Sequence, residues 1–448
     1  MTQDEAIQLL KMGYNVFLTG APGSGKTFLL NKYIEYLRKN GKRVAVTAST
    51  GIAATHMGGT TIHSWSGLGI REKISDSEIR GLLKKPYLRK NIKITEVLLI
   101  DEISMLKPGQ FEAVDRICQY FRASFEPFGG MQVICSGDFF QLPPINRYDE
   151  ELRFVVEARS WQNLDMKICY LQDQHRTQDV KLAELLNHIR SNNPYAGKEM
   201  LEAHQKSAGR RASIASVTKL YTHNVDVDRI NDAQLAKIEG KPMQYHMTSG
   251  GNTDLVASLK RSCLAPETLV LKKGAQVMFI KNNFDEGYVN GTQGQVVDFD
   301  EFGMPVVKTM AGQKITAGQA DWTIDDIDYE TGKARTLANI NQLPLRLAWA
   351  ITVHKSQGMN LDAAEIDLSK CFIEGMGYVA LSRLKSLAGL KLNGINDKAF
   401  AVHEKALAID EDFKKNSDEA RALLASLSTK QRESMGATFI KNLPELSA

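Results

Sequence analysis

The sequence predicts an α/β protein built on parallel sheets flanked by helices, and three observations carry that reading. The first is an apolar run, Asn15-Val16-Phe17-Leu18, that leads into Gly20-Ala21-Pro22-Gly23-Ser24-Gly25-Lys26-Thr27. A segment with a helical apolar face follows, Phe28-Leu29-Leu30 with Tyr33, Ile34 and Leu37. The second is Val97-Leu98-Leu99-Ile100, with the length and branched content of a buried parallel strand, ending in Asp101-Glu102. The third is Gln132-Val133-Ile134-Cys135-Ser136, another apolar strand, which ends in Gly137-Asp138. Strands alternating with helical stretches over residues 1 to about 170 make a sheet covered on both faces.

Each of these elements carries its own chemistry. In the loop from Gly20 to Thr27, the glycines Gly20, Gly23 and Gly25 let the backbone turn tightly, so that its N–H groups, with Ser24, point inward at a phosphate. Lys26 is then placed for the β- and γ-phosphates, and the Thr27 hydroxyl for Mg²⁺. Asp101 would complete the Mg²⁺ shell, and Glu102 would polarise the water that attacks the γ-phosphate. Taken alone, an Asp-Glu pair after a strand could equally be a surface turn. Gln141, in Phe139-Phe140-Gln141-Leu142-Pro143-Pro144, falls at the carboxyl edge of the sheet, near the γ-phosphate, or is an ordinary loop amide. No Asn-Lys-x-Asp guanine-recognition tetrad occurs, so the expected nucleotide is ATP, with Mg²⁺ as its companion.

Bulk properties narrow the classes. A chain of 448 residues fits two or three domains. Hydrophobic residues make up 43% and charged residues 24%, and no apolar run approaches the roughly 20 residues that span a bilayer, so a membrane partner is not expected. Met-Thr-Gln-Asp-Glu lacks the basic start and apolar stretch of a secretory signal and is too acidic for a transit peptide. The expectation is a cytoplasmic, prokaryote-like protein whose mature chain starts here. Five scattered cysteines, with no Cys-x-x-Cys pair, read as reduced structural thiols. A net charge of +4 does not by itself identify a polyanion partner, and the local basic pairs such as Lys84-Lys85 and Arg89-Lys90 read first as solvated surface.

Further blocks give the chain a family resemblance. Val46-Thr47-Ala48-Ser49-Thr50-Gly51-Ile52-Ala53-Ala54 and Gly58-Gly59-Thr60-Thr61-Ile62-His63-Ser64-Trp65 follow the phosphate loop. Asp101-Glu102-Ile103-Ser104-Met105-Leu106 continues through Phe111, Val114, Asp115 and Ile117. Gln174-His175-Arg176-Thr177, Thr352-Val353-His354-Lys355-Ser356-Gln357-Gly358 and Gly377-Tyr378-Val379-Ala380-Leu381-Ser382-Arg383 come later. In this order, over roughly residues 1 to 400, they resemble superfamily 1 helicases of the petite-integration-frequency (PIF) branch, beside the RecD-like enzymes. Gln174-His175-Arg176-Thr177 departs from the more usual Asn-Phe-Arg-Gln but keeps the arginine.

The resemblance implies two RecA-like motor domains and an ATP-dependent DNA helicase moving 5′ to 3′. It gives Gln3, seventeen residues before Gly20, the role of reading adenine, and adds Phe28, Gln357 and Gly358 to the ATP site. It makes Arg176 and Arg383 arginine fingers, whose guanidinium groups meet charge developing on the transferring phosphoryl group. If both reach one nucleotide, ATP lies between the two domains. Thr50, Gly51, Thr61, His63, Thr352, His354 and Lys355 become contacts to a single strand, with Trp65 either a stacking platform or a core residue. The implied partners are single-stranded DNA and duplex or forked DNA, with RNA–DNA hybrids and four-stranded guanine structures as further substrates, acted on by a monomer. The alternative reading is a motor that remodels RNA or protein on DNA with little unwinding. A passive single-strand-binding module with a nucleotide switch is the third.

The implied domain layout places the first motor at 1–170, with a small wedge-like insertion at about 67–93, which could also be a plain surface excursion. The second motor takes 171–263 and 340–405, interrupted at 264–339 by an SH3-like β domain whose short runs alternate with glycine turns. Residues 406–448 form a helical tail, expected to pack on the second motor domain.

Overall fold

The computed structural model describes residues 1–441 except 70, 145–150, 173–178, 209–216, 222–226, 284 and 329–332. The chain divides into two compact units, Met1–Arg176 with Glu404–Ala448, and Thr177–His403.

The first unit is ordered α1 (Gln3–Lys11), β1 (Val16–Gly20), α2 (Lys26–Lys39), β2 (Val44–Ala48), α3 (Gly51–His56), β3 (Thr60–Thr61), α4 (Ile62–Trp65), α5 (Asp76–Leu83), α6 (Pro86–Ile94), β4 (Val97–Asp101), α7 (Pro108–Arg122), β5 (Gln132–Ser136) and β6 (Lys167–Leu171). Its six strands lie parallel in the order β3-β2-β4-β5-β1-β6. Every residue of β1, β4 and β5 is buried, as a sheet covered on both faces requires. Side chains alternate between faces, so Phe17, Leu98, Ile100 and Val133 enter one core while Val16, Leu18, Leu99 and Ile134 enter the other.

The segment at 67–93 folds into α5 and α6, which bury Ile79, Leu82, Leu88 and Ile92 in the first of these cores. Ser75 and Glu78 close a capping box at the start of α5.

The C-terminal helices correct one expectation. Glu404–Ser426 belongs to the first unit and not to the second. Strand β6 ends the sheet, so its outer backbone and both cores beside it need cover. The helix supplies it. Ala406 and Phe413 enter one core, Ala420 and Leu424 the other, the Tyr170 N–H donates to Ser417 Oγ at 3.1 Å, and the Tyr170 hydroxyl pairs with Asp410 at 2.9 Å.

In the second unit, Ala350–Thr352, Thr218–Tyr221, Ala364–Leu368 and Leu390–Ile395 form a four-stranded parallel sheet in that order. Antiparallel strands fill the middle of its sequence. Lys314–Thr316, Pro305–Thr309, Gln293–Phe299, Gln276–Phe279 and Leu345–Leu347 make one sheet, and Ala320–Asp328, Lys333–Gln342 and Thr248–Gly251 another. Met243–His246 pairs with Thr268–Leu271. The antiparallel pairing thus starts upstream of residue 264 and ends downstream of 339, because strands from the flanking segments complete its edges.

Candidate functional site

The nucleotide loop is built at the carboxyl end of β1. Gly23 and Gly25 hold φ of 87°, a region that side chains with a Cβ rarely adopt. Gly20 allows a close approach, since a Cβ there would lie 2.6 Å from the Leu171 carbonyl oxygen. Gly25 caps α2 without a side-chain acceptor, and no acidic residue occupies the first turn, so the positive end of the helix dipole is left for an anion. Lys26 Nζ lies in the loop, donating to the Gly20 carbonyl at 2.7 Å and the Ala21 carbonyl at 3.1 Å. The buried Ser24 hydroxyl makes no hydrogen bond within the protein, which fits a phosphate oxygen as its partner. Gln3 joins the same place, its Nε2 donating to the Ser24 carbonyl at 3.3 Å. Phe28, 66% exposed, and Thr27 open to solvent at the start of α2.

The acidic pair ends β4, which only β5 separates from β1. Burial pushes the Asp101 carboxyl above its ordinary range, while the Glu102 backbone N–H and the Lys26 charge oppose the shift. A divalent cation held by Asp101 and Thr27 would relieve that burial, so these residues fit Mg²⁺. Glu102 adopts φ 51°, ψ 43°, a left-handed conformation for a residue with a full side chain. Ser49 bridges to this turn from the end of β2, its N–H donating to the Asp101 carbonyl at 3.0 Å and its hydroxyl to the Glu102 carbonyl at 2.6 Å.

Gln141 is buried after β5, its N–H donating to the Asp138 carbonyl at 3.0 Å. The Asp138 carboxylate accepts from the Phe140 N–H at 3.2 Å. Neither Asp138 nor Ser49 has a role predicted from the sequence, although Ser49 directly follows β2 and Asp138 stands two residues after β5.

The single-strand candidates of the first unit are mostly half-buried. Thr50 caps α3 by accepting from the Ala53 N–H, and Thr61 caps α4 by accepting from the Ser64 N–H. Gly51 opens α3. Burial lowers the His63 pKa, partly offset by Gln110. Trp65 packs against the first core, which favours its structural reading.

The second unit brings its own residues together. Arg383 is buried, with Nε donating to the Val379 carbonyl at 3.0 Å and guanidinium nitrogens to Ser382 Oγ at 2.8 Å and the Ser356 carbonyl at 3.5 Å. It therefore stands against the Thr352–Gly358 segment. Gln357 is buried with Nε2 lacking a partner, and Gly358 takes φ 74°. Thr352 Oγ1 accepts from the Lys355 N–H, and Lys355 Nζ lies 3.8 Å from Asp228. Burial lowers the His354 pKa. Arg176 lies outside the described residues.

Residues 3–192 match the PIF1-like helicase family, and residues 254–299 match the 2B domain of DNA helicase Pif1. A Psychrobacter protein named ATP-dependent DNA helicase Pif1 is 42% identical over 94% of this chain and 72% of its own length. Unliganded Pif1 from Bacteroides superposes with a TM-score of 0.75 at 30% identity, covering 92% of this chain and 96% of that one. A Bacteroides Pif1 helicase in complex with ADP-AlF3 and ssDNA gives 0.60 at 30% identity with the same coverage. The phosphate loop with its lysine in place, the acidic pair two strands away and these likenesses over nearly the whole chain agree: the chain belongs to the PIF1-like helicase family.

Proposed function

We propose that this chain hydrolyses ATP to move 5′ to 3′ along single-stranded DNA and to unwind duplex ahead of it. One observation carries the reading most directly. The first unit presents a closed phosphate loop around Lys26, joined to Gln3, beside a buried Asp101 and a left-handed Glu102 at the same end of one sheet. Gln3 reads the adenine, aided by Phe28, while Gly20, Gly23, Ser24, Gly25 and Lys26 cradle the phosphates. Mg²⁺, when bound at Thr27 and Asp101, supplies charge that stabilises the phosphate oxygens. Glu102 accepts a proton from the attacking water, and Gln141 orients that water. Arg383 and Arg176 act as fingers on the transferring group, with Gln357 and Gly358 adding to the ATP site.

Thr50, Gly51, Thr61 and His63 of the first unit, and Thr352, His354 and Lys355 of the second, contact the strand backbone, so that base identity is ignored during translocation. The half-buried Trp65 acts from the core behind them and not as a stacking platform. The working enzyme is a cytoplasmic monomer that also accepts RNA–DNA hybrids. Among the described residues no helix is long and apolar enough to cross a membrane.

The test compares two duplexes that differ only in carrying a 5′ or a 3′ single-stranded tail, with Lys26→Ala as control. Unwinding from the 5′ tail alone is expected. Unwinding from the 3′ tail alone would overturn the polarity. Multiple-turnover hydrolysis without unwinding would move the assignment to a remodelling motor, and tight strand binding without turnover to a passive module.

A further inference from the structure

The turn that carries Glu102 is gripped from both neighbouring strands. On the β5 side Gly137 packs against it so closely that an added Cβ would lie 3.1 Å from Ile103 Cγ2 and 3.2 Å from Ile103 N. On the β2 side the grip is Ser49, through its N–H to Asp101 and its hydroxyl to the Glu102 carbonyl at 2.6 Å. A residue with a Cβ keeps a left-handed backbone only where its surroundings hold it there. Ser49 is that support, and the next two residues along the chain are Thr50 and Gly51. The Thr50 hydroxyl is engaged by the Ala53 N–H at 3.3 Å, and the Ala54 N–H donates to the Thr50 carbonyl at 3.0 Å, so Thr50 is tied to α3 while Ser49 is tied to β4. No flexible linker separates the two attachments.

We propose that Ser49 is a positioning residue that makes the geometry of Glu102 depend on occupancy of the strand contacts at Thr50 and Gly51. The inference rests on the proposed roles of Glu102 and of Thr50 and Gly51. A strand drawn onto those two residues loads the segment to which Ser49 belongs, and the Ser49 hydroxyl passes that load to the backbone of Glu102. The carboxylate is then held where the attacking water must lose its proton. Without the hydroxyl only the Ser49 N–H bond to the Asp101 carbonyl remains on the β2 side, and strand binding no longer reaches the backbone of Glu102.

The experiment measures ATP hydrolysis by the full chain with and without oligothymidylate, for the wild type, Ser49→Ala and Ser49→Thr. Ser49→Ala is expected to lower the DNA-stimulated kcat about tenfold, the order set by losing one oriented hydrogen bond. KM for ATP and the Kd for oligothymidylate should stay within about twofold, because Ser49 belongs to neither proposed set of ligand contacts. Ser49→Thr, which keeps the hydroxyl, should restore most of the stimulation. Wild-type stimulation in Ser49→Ala would overturn the proposal. So would a parallel loss of kcat, strand affinity and melting temperature that Ser49→Thr does not repair, since that is the signature of a merely structural residue. Should the alanine variant fail to fold, Ser49→Cys takes its place, with the same expected loss and the same overturning result. A wild-type ATPase indifferent to oligothymidylate would instead sink the underlying reading, and is distinguished by needing no variant at all.

Discussion

Glu102 shows how a single residue can be placed by backbone strain. Left-handed geometry at a residue with a side chain costs about 1–3 kcal/mol, and the neighbours that sustain it come from β2 and β5. Gly137→Ala should therefore push on Ile103 and lower kcat several-fold while leaving strand affinity near the wild-type value. A kinetic comparison showing unchanged kcat would remove Gly137 from the support of this turn. Histidine protonation supplies a second prediction at this scale. Burial holds the His63 and His354 pKa values below the ordinary 6.5, so both are neutral at pH 7 and bind fewer protons folded than unfolded. Their contribution to stability is complete above about pH 6.5 and is lost as pH falls through the folded-state pKa. The melting temperature should drop on acidification across that window, and a His63→Gln/His354→Gln variant should lose part of the drop. Identical pH profiles would refute it. Part of this scale was legible in the sequence: Lys26 lies in the loop that the glycine spacing predicts, and Asp101 ends the strand that its apolar run predicts. The bridge from Ser49 to Glu102 was not, because it joins residues 53 positions apart through a backbone carbonyl, which no side-chain pattern encodes.

At the scale of elements, the buried strands were legible from their unbroken apolar runs, and β1, β4 and β5 lie where those runs are. Lys42 and Glu96, in contrast, are of residue types that are mostly exposed. They form an ion pair at 2.7 Å with side chains only 2% and 5% exposed, and Glu96 also accepts from the Arg43 N–H. Removing one partner leaves the other buried and uncompensated, so Lys42→Met should destabilise the first unit by about 3–5 kcal/mol. Lys42→Met/Glu96→Leu should lose less than either single change, and denaturant titration of the three variants would decide it. The helix Glu404–Ser426 offers the complementary case. Phe413 packs against Phe17 at 4.8 Å and Phe139 at 5.7 Å between ring centroids. Phe413→Ala should cost about 3–5 kcal/mol, and a loss below about 1 kcal/mol would show that the helix docks loosely. Its destination was illegible because an apolar stripe states that a helix must bury a face, not which sheet it covers.

For the whole molecule, two units with separate cores need not unfold together, and the phosphate loop belongs to the first of them. ADP with Mg²⁺ at about a hundred times its Kd should stabilise the first unit by about 2.7 kcal/mol, and Lys26→Ala should abolish that shift in calorimetry. An undiminished shift in the variant would place nucleotide elsewhere. What the sequence by itself determined is the class: glycine spacing after an apolar run marks the phosphate loop, unbroken apolar runs of strand length mark the buried strands, and the ordered blocks name the family. Tertiary structure alone decided which unit the C-terminal helix completes, where the antiparallel strands begin and end, and what holds Glu102 in place. The physical reason is common to all three. Each depends on which surfaces meet, and edge strands, uncovered cores and left-handed turns find partners far away along the chain.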